Sequence, residues 1–256
     1  MKTSNERTNG HPLDEWLMFE QESISKFKQE HPDLWNVFGN SINFARVIPF
    51  TIGQQGGVSF IEMHRLMMWQ KVLHYQVQSL FLLLQYQLDA GFALLRLAAE
   101  LSRDVARIAD DENMLHIWLE REDKTQRKLY KERFKFHVGS PDEDIVKNTY
   151  DFCSIFGIHG HMTDSMFSKI IGTIPSGSPM VHVGVSDYGV LDTVHMWLLS
   201  FLPMHHLCIK TFISRYISII PEVFSTLAQL ETEMNRILKA LSDSLESLKK
   251  SQSYSS

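Results

Sequence analysis

Apolar residues recur at helical spacing through most of this chain, and the alternating pattern of strands is nearly missing. Leu17, Phe19, Ile24 and Phe27 mark a first helix over 13–31, which His31-Pro32-Asp33 breaks because the residue before a proline avoids the α region. Residues 34–44 read as a short helix, and 49–57, with Gly-Gln-Gln-Gly-Gly, as a loop. Residues 59–87 hold Met, Leu, Phe and Trp around most of a helix circumference, which predicts a helix in the middle of the fold. One polar line survives on it: His64, Lys71, His74, Gln78 and Gln85. A break near Asp89–Gly91 lets Asp89 cap the next helix, which ends near Ala109.

Asp110-Asp111-Glu112 places acids at the positive end of a third long helix, running exposed to about His137. Pro141 suits the first turn of a further helix, interrupted at 156–161. A short helix over 162–171 and a turn-rich stretch with one extended piece over 180–185 follow. Residues 187–216 read as a helix kinked at Pro203. In the last helix Val223, Leu227, Leu230, Met234, Ile237 and Leu241 repeat at near-heptad spacing, continued by Leu245 and Leu248 after one slip. That stripe packs on its own domain or pairs with a second copy of the chain. The pattern predicts an all-α fold: one helical bundle of long antiparallel members over 13–250, between disordered tails at 1–12 and 251–256.

Composition narrows the class. The chain has 256 residues, 44% apolar and 21% charged, which is ordinary for a globular protein. A net charge of −5 gives no bulk attraction to nucleic acid or an acidic membrane. Two well-separated cysteines, Cys153 and Cys208, fit a reducing compartment and exclude a disulfide scaffold. The polar N-terminus is not a secretory signal, and apolar runs are interrupted too often to span a bilayer. The expectation is a cytoplasmic protein without a membrane segment.

The most informative chemistry lies on the fourth helix. Arg96, Glu100, Arg103 and Arg107, at offsets of four, seven and eleven, share one narrow edge. Leu94, Leu97, Ala98, Leu101, Val105 and Ile108 take the opposite side. Exposed, the stripe is a set of helical ion pairs. Covered, its Arg forks would bind a phosphate or carboxylate, with Glu100 orienting them. His159-Gly160-His161 together with Asp164 offers either a turn, a metal ligand pair, or an imidazole acting as acid or base. A di-iron bundle needs two Glu-x-x-His pairs, and only Asp192-x-x-His195 comes near that pattern. His205, His206 and Cys208, in an apolar run, read as structural. Gly-rich phosphate loops, dinucleotide fingerprints and nucleophile elbows are missing, and neither metal nor cofactor is expected.

The run Ala90-Gly91-Phe92-Ala93-Leu94-Leu95-Arg96-Leu97-Ala98-Ala99-Glu100-Leu101 resembles a segment of HEPN-type helical proteins, prokaryotic bundles found in antiviral defence and toxin systems. In related branches one helix carries Leu-Arg-x-x-x-Glu, and a later one carries Gly or Ser followed by His; here that later part is Gly157-Ile158-His159-Gly160. The resemblance implies a helical bundle, a homodimer and an RNA-directed role. One departure counts against ribonuclease chemistry of the usual HEPN kind. Those enzymes carry an Arg followed by His after four to six intervening residues; here Arg133 to His137 is too short, Arg107 to His116 too long, and no other Arg fits. Three functions therefore stand open. One is an RNA-directed nuclease or nucleotide-binding effector, in which Arg96, Arg103 and Arg107 hold phosphate, Glu100 orients them, and His159 or His161 moves a proton. The others are a non-catalytic dimeric interaction module and a metal-binding bundle.

Overall fold

The computed structural model describes residues 12–54, 57–85, 87–109, 111–137, 139–158, 168–173, 179–183, 187–212, 216 and 221–253. Among them are α1 (Pro12–Glu30), α2 (Pro32–Gln54), α3 (Phe60–Leu84), α4 (Leu88–Ile108), α5 (Glu112–Leu119), α6 (Lys124–Arg133), α7 (Pro141–Ile158), α8 (Asp187–Lys210) and α9 (Pro221–Ser253). The fold is an all-α bundle with one small hairpin. Among the described residues, no helix is long and apolar enough to cross a membrane.

α3 and α4 form its spine. Ser59 caps α3 in a reciprocal box: its hydroxyl accepts from the Glu62 amide, and the Glu62 carboxylate accepts from the Ser59 amide. A three-residue connection turns the chain back, so α4 runs antiparallel to α3. Gly91 makes their close approach affordable, since a Cβ there would lie 2.8 Å from two atoms of the Leu83 side chain. Ser79 donates to the Gly91 carbonyl at 2.8 Å across the same contact. Gly91 therefore acts as a packing position inside α4, not as a break before it. Gln87 stands at the N-cap, where Asp89 was expected, and makes no side-chain cap bond.

α7 packs antiparallel on α4, and α8 antiparallel on α3, with Trp69, Val72, Leu80, Leu83, Phe92, Leu95, Trp197 and Phe201 buried between them. α9 lies across α2 and α8. Its Leu230, Met234, Ile237 and Leu241 are buried there, so that part of the heptad stripe is spent inside the bundle and is not free for a second copy.

Other expected boundaries moved, and α8, expected to run to 216, ends at Lys210. α2 continues through Pro49 to Gln54, because Phe44, Ala45, Ile48 and Ile52 extend its buried stripe, and core packing outweighs the backbone hydrogen bond that proline removes. The single helix expected over 110–137 is two: Asp123 accepts from the amides of Thr125 and Gln126 and starts α6 afresh. Those two bonds hold the exposed Asp123 carboxyl below its ordinary pKa. Residues 168–171, expected to be helical, belong to β1 (Ser168–Thr173), which pairs antiparallel with β2 (Pro179–Val183). Ile170, Ile171, Val181 and Val183 favour the extended form, and Gly172 adjoins an irregularity in the register. α9 reaches Ser253, beyond the expected start of the C-terminal tail.

His205 is fully buried in this core. Its Nδ1 accepts the Trp69 indole N–H at 2.7 Å, which leaves the ring proton on Nε2, a buried atom with no partner among the described residues. Burial, and secondarily the neighbouring His206, pull its pKa down to about 3. The unfolded chain takes up this proton near the ordinary 6.5, so the folded state binds fewer protons between the two values. The His205 contribution is complete above 6.5 and falls by about 1.4 kcal/mol per pH unit below it. Urea unfolding should show this acid loss, and His205→Gln should flatten it; an unchanged slope would place a different group in control.

Candidate functional site

The stripe read from the sequence lies along the side of α4 that faces α5, α6 and α7. The opposite face enters the core through Leu95, Ala98, Ala99, Val105 and Ile108. Leu94 and Leu101 are half-buried and Leu97 is exposed, so the apolar face is rotated slightly from the one expected.

Arg103 is the most enclosed member. Its Nε and Nη2 donate to Asp104 Oδ1 at 2.9 and 2.6 Å. Its Nη2 also donates to the Tyr130 hydroxyl at 2.9 Å. The Tyr130 hydroxyl donates to Asp104 Oδ2 at 2.9 Å, and the Trp118 indole donates to the same oxygen at 3.0 Å. The guanidinium carbon lies 5.0 Å from the Phe136 ring centroid. Burial pushes the Asp104 carboxyl above its ordinary pKa, against the opposing pull of Arg103. Burial likewise works against the Arg103 charge, but Asp104 and Tyr130 outweigh it and hold the guanidinium above its usual value. Tyr130 is pushed up by burial and by the adjoining carboxylate.

Arg107 follows one turn on. Its Nε donates to the Lys135 carbonyl at 2.9 Å, and its Nη2 pairs with the buried Glu143 carboxylate. The same Glu143 oxygen accepts the His137 amide, which fixes the loop between α6 and α7. The chain leaves α4 through Ala109 at φ 39°, a conformation that costs a residue with a Cβ roughly 1–3 kcal/mol. This turn leads into α5, where Trp118 meets Asp104.

Arg96 and Glu100 differ from these. Both are half-buried, and their pair spans 2.9 Å. The same Arg96 Nη2 donates to the Tyr150 hydroxyl at 3.2 Å, and the guanidinium carbon lies 5.0 Å from that ring's centroid. Burial opposes the Arg96 charge, but the Tyr150 hydrogen bond and Glu100 raise its pKa overall. Its Nε is buried without a partner among the described residues. Cys153 of α7 is close enough for the Arg96 charge to act on it, yet burial pushes the thiol up to about 12, so it is no nucleophile at neutral pH.

The structure thus keeps Arg96, Glu100, Arg103 and Arg107 on one edge of α4, covered at Arg103 and Arg107 and half-open at Arg96 and Glu100. It adds Asp104, Trp118, Tyr130, Glu143 and Tyr150, which the sequence reading missed. His159 and His161 lie outside the described residues. Among those residues, no cluster of three or more His, Cys, Asp or Glu side chains is placed to hold a metal.

Removing one partner of a buried pair strands the other charge. Asp104→Ala should therefore cost about 3–5 kcal/mol in urea unfolding, and Tyr130→Phe about 1 kcal/mol. A loss well under 1 kcal/mol for Asp104→Ala would mean that water reaches Arg103. No family model, curated protein or solved structure matches the chain.

Proposed function

We propose that this protein is a HEPN-like helical effector of prokaryotic defence or accessory type, which binds a phosphate-bearing ligand, a nucleotide or RNA, at Arg96. The observation that carries this reading is the unequal state of the three arginines. Arg103 and Arg107 are each committed to a buried carboxylate. Arg96 stays half-open and makes both of its protein hydrogen bonds through one nitrogen, so its fork keeps donors for an incoming oxyanion. Glu100 beside it can accept from a ribose hydroxyl or a base amine, and Tyr150 supplies a ring face and a hydroxyl. The pair is electrically neutral, which suits a ligand offering both donors and acceptors better than bare polyanion attraction.

RNA cleavage is the more demanding form of the same proposal. It needs a proton acceptor near the 2′-hydroxyl as well as a cation on the phosphorane. His159 and His161 are the candidates from the sequence. Two buried free thiols, Cys153 and Cys208, support a cytosolic setting. A homodimer remains part of this reading, with two copies meeting through a face other than the buried stripe of α9.

Calorimetric titration with GMP and with a short RNA tests the binding step. Arg96→Ala should weaken binding by about 10- to 100-fold, the value of one charged hydrogen bond, while the unfolding midpoint shifts little. RNA incubated with the protein in chelator tests cleavage, which His159→Ala should abolish if it occurs. No binding of either ligand at millimolar concentration would overturn the assignment.

A further inference from the structure

At the far end of α4 from Arg96 the bundle presents a different kind of surface. α5 lines a groove along one edge: Glu112, His116, Leu119 and Glu120 are exposed there, and Leu115, on the same edge, is buried at its floor. Phe60 and Ile61 from the start of α3 form the other wall of a groove of about 510 Å³. Phe60 is 69% exposed, and Met63 and Met67 continue from it along the same edge of α3 at 47% and 54%. Leu119 is also exposed. Large apolar side chains at successive turns of one helix edge, beside a groove with an apolar floor, are more than the scattered exposure expected of a free surface.

The charge around this groove is one-sided. Glu112 and Glu120 stand at opposite ends of α5, and no Lys or Arg is among the lining residues. Arg121, next along the chain, is turned away: it stacks 4.0 Å from the Trp118 ring centroid and donates to the Trp118 carbonyl at 2.7 Å. His116 lies within 3.3 Å of Glu120 and is itself exposed. A second copy of the chain docked across the middle of α5 about a two-fold axis would set the acid at one end of α5 against the acid at the other end of its mate, which is unfavourable. A free nucleotide or phosphate is repelled by the same acids. What fits is an apolar ridge flanked by cations.

We propose that the groove between the start of α3 and α5 docks an amphipathic helical segment of another protein, with large apolar residues on one face and Lys or Arg beside them. Its volume accepts a few side chains, as when a helix lays anchors from successive turns into a groove. Met63 and Met67, exposed further along the same edge of α3, suit the approach to such a surface, because their flexible thioether chains adapt to a bound side chain. The proposal is independent of the Arg96 centre, since none of the groove residues belongs to that centre.

The test uses the full chain and a fluorescent helical peptide of Leu and Lys, with Leu on one face, beside a counterpart bearing Glu in place of Lys. In fluorescence anisotropy the Lys peptide should bind, and the Glu peptide at least about tenfold more weakly. Phe60→Ser with Leu119→Ser should weaken the Lys peptide by about tenfold or more without lowering the unfolding midpoint, because both side chains are exposed. Glu112→Gln with Glu120→Gln should weaken it and reduce its salt dependence, a readout that loss of fold would not mimic. The proposal is overturned if the Lys peptide fails to bind or binds the Ser variant equally well. It is also overturned by a protein that scatters light as a dimer and becomes monomeric in the Ser variant, which would assign the groove to a second copy. Capture by phosphatidylcholine vesicles that is lost in the same variant would assign it to a lipid surface and overturn it too.

Discussion

The burial of guanidinium charge along α4 organises one side of this molecule. An unpaired cation there would cost several kcal/mol, so Arg103 and Arg107 demand carboxylates within reach. Asp104 answers the first and Glu143 the second. Each carboxylate then recruits further donors: Trp118 from α5, Tyr130 from α6 and the His137 amide from the connection to α7. Two ion pairs thereby tie three successive elements to α4. Hydrophobic packing supplies most of the stabilisation of the bundle, but it does not specify where a short, polar helix such as α6 should lie. α6 has no buried residue at all, and the Tyr130 hydroxyl is one of its few fixed points.

This arrangement separates two regions of differing chemistry. Toward the middle of α4, Arg96 and Glu100 remain half-open beside Tyr150, with donors and acceptors to spare. Past its C-terminal end, the network holds Trp118, and with it the orientation of α5. The outward edge of α5 then carries exposed Leu119 between Glu112 and Glu120, beside exposed Phe60 of α3. The proposed ligand centre and the proposed docking groove thus depend on the same anchored helix.

Much of the helical architecture was legible in the sequence because helical periodicity and terminal chemistry are local. Ser59 with Glu62, Asp111 before Glu112, and Pro141 at a first turn all mark starts that the structure keeps. The misread boundaries arose where tertiary packing overruled a local signal. Pro49 reads as a breaker, yet its neighbours Ile48 and Ile52 have a core to enter. Gly91 reads as a break, yet it serves a close approach to Leu83. The stripe itself was visible as spacing, but its burial was not, since the acid of Arg107 lies on another helix. Asp104 adjoins Arg103 in sequence, a separation at which helical side chains do not normally face each other. The aromatic pair Tyr130 and Phe134, one turn apart on an otherwise polar helix and with ring centroids 4.8 Å apart, was the local sign that α6 covers something.

The account rests on charge pairing across α4 and α7, and a double-mutant cycle on Arg107 and Glu143 measures it most directly. Urea unfolding of Arg107→Ala, Glu143→Ala and the double variant gives the coupling between the two side chains. The buried pair predicts single losses that overlap, so that the double variant is little worse than the poorer single one and the coupling is about 2 kcal/mol. Losses that simply add, to within about 0.5 kcal/mol, would contradict it.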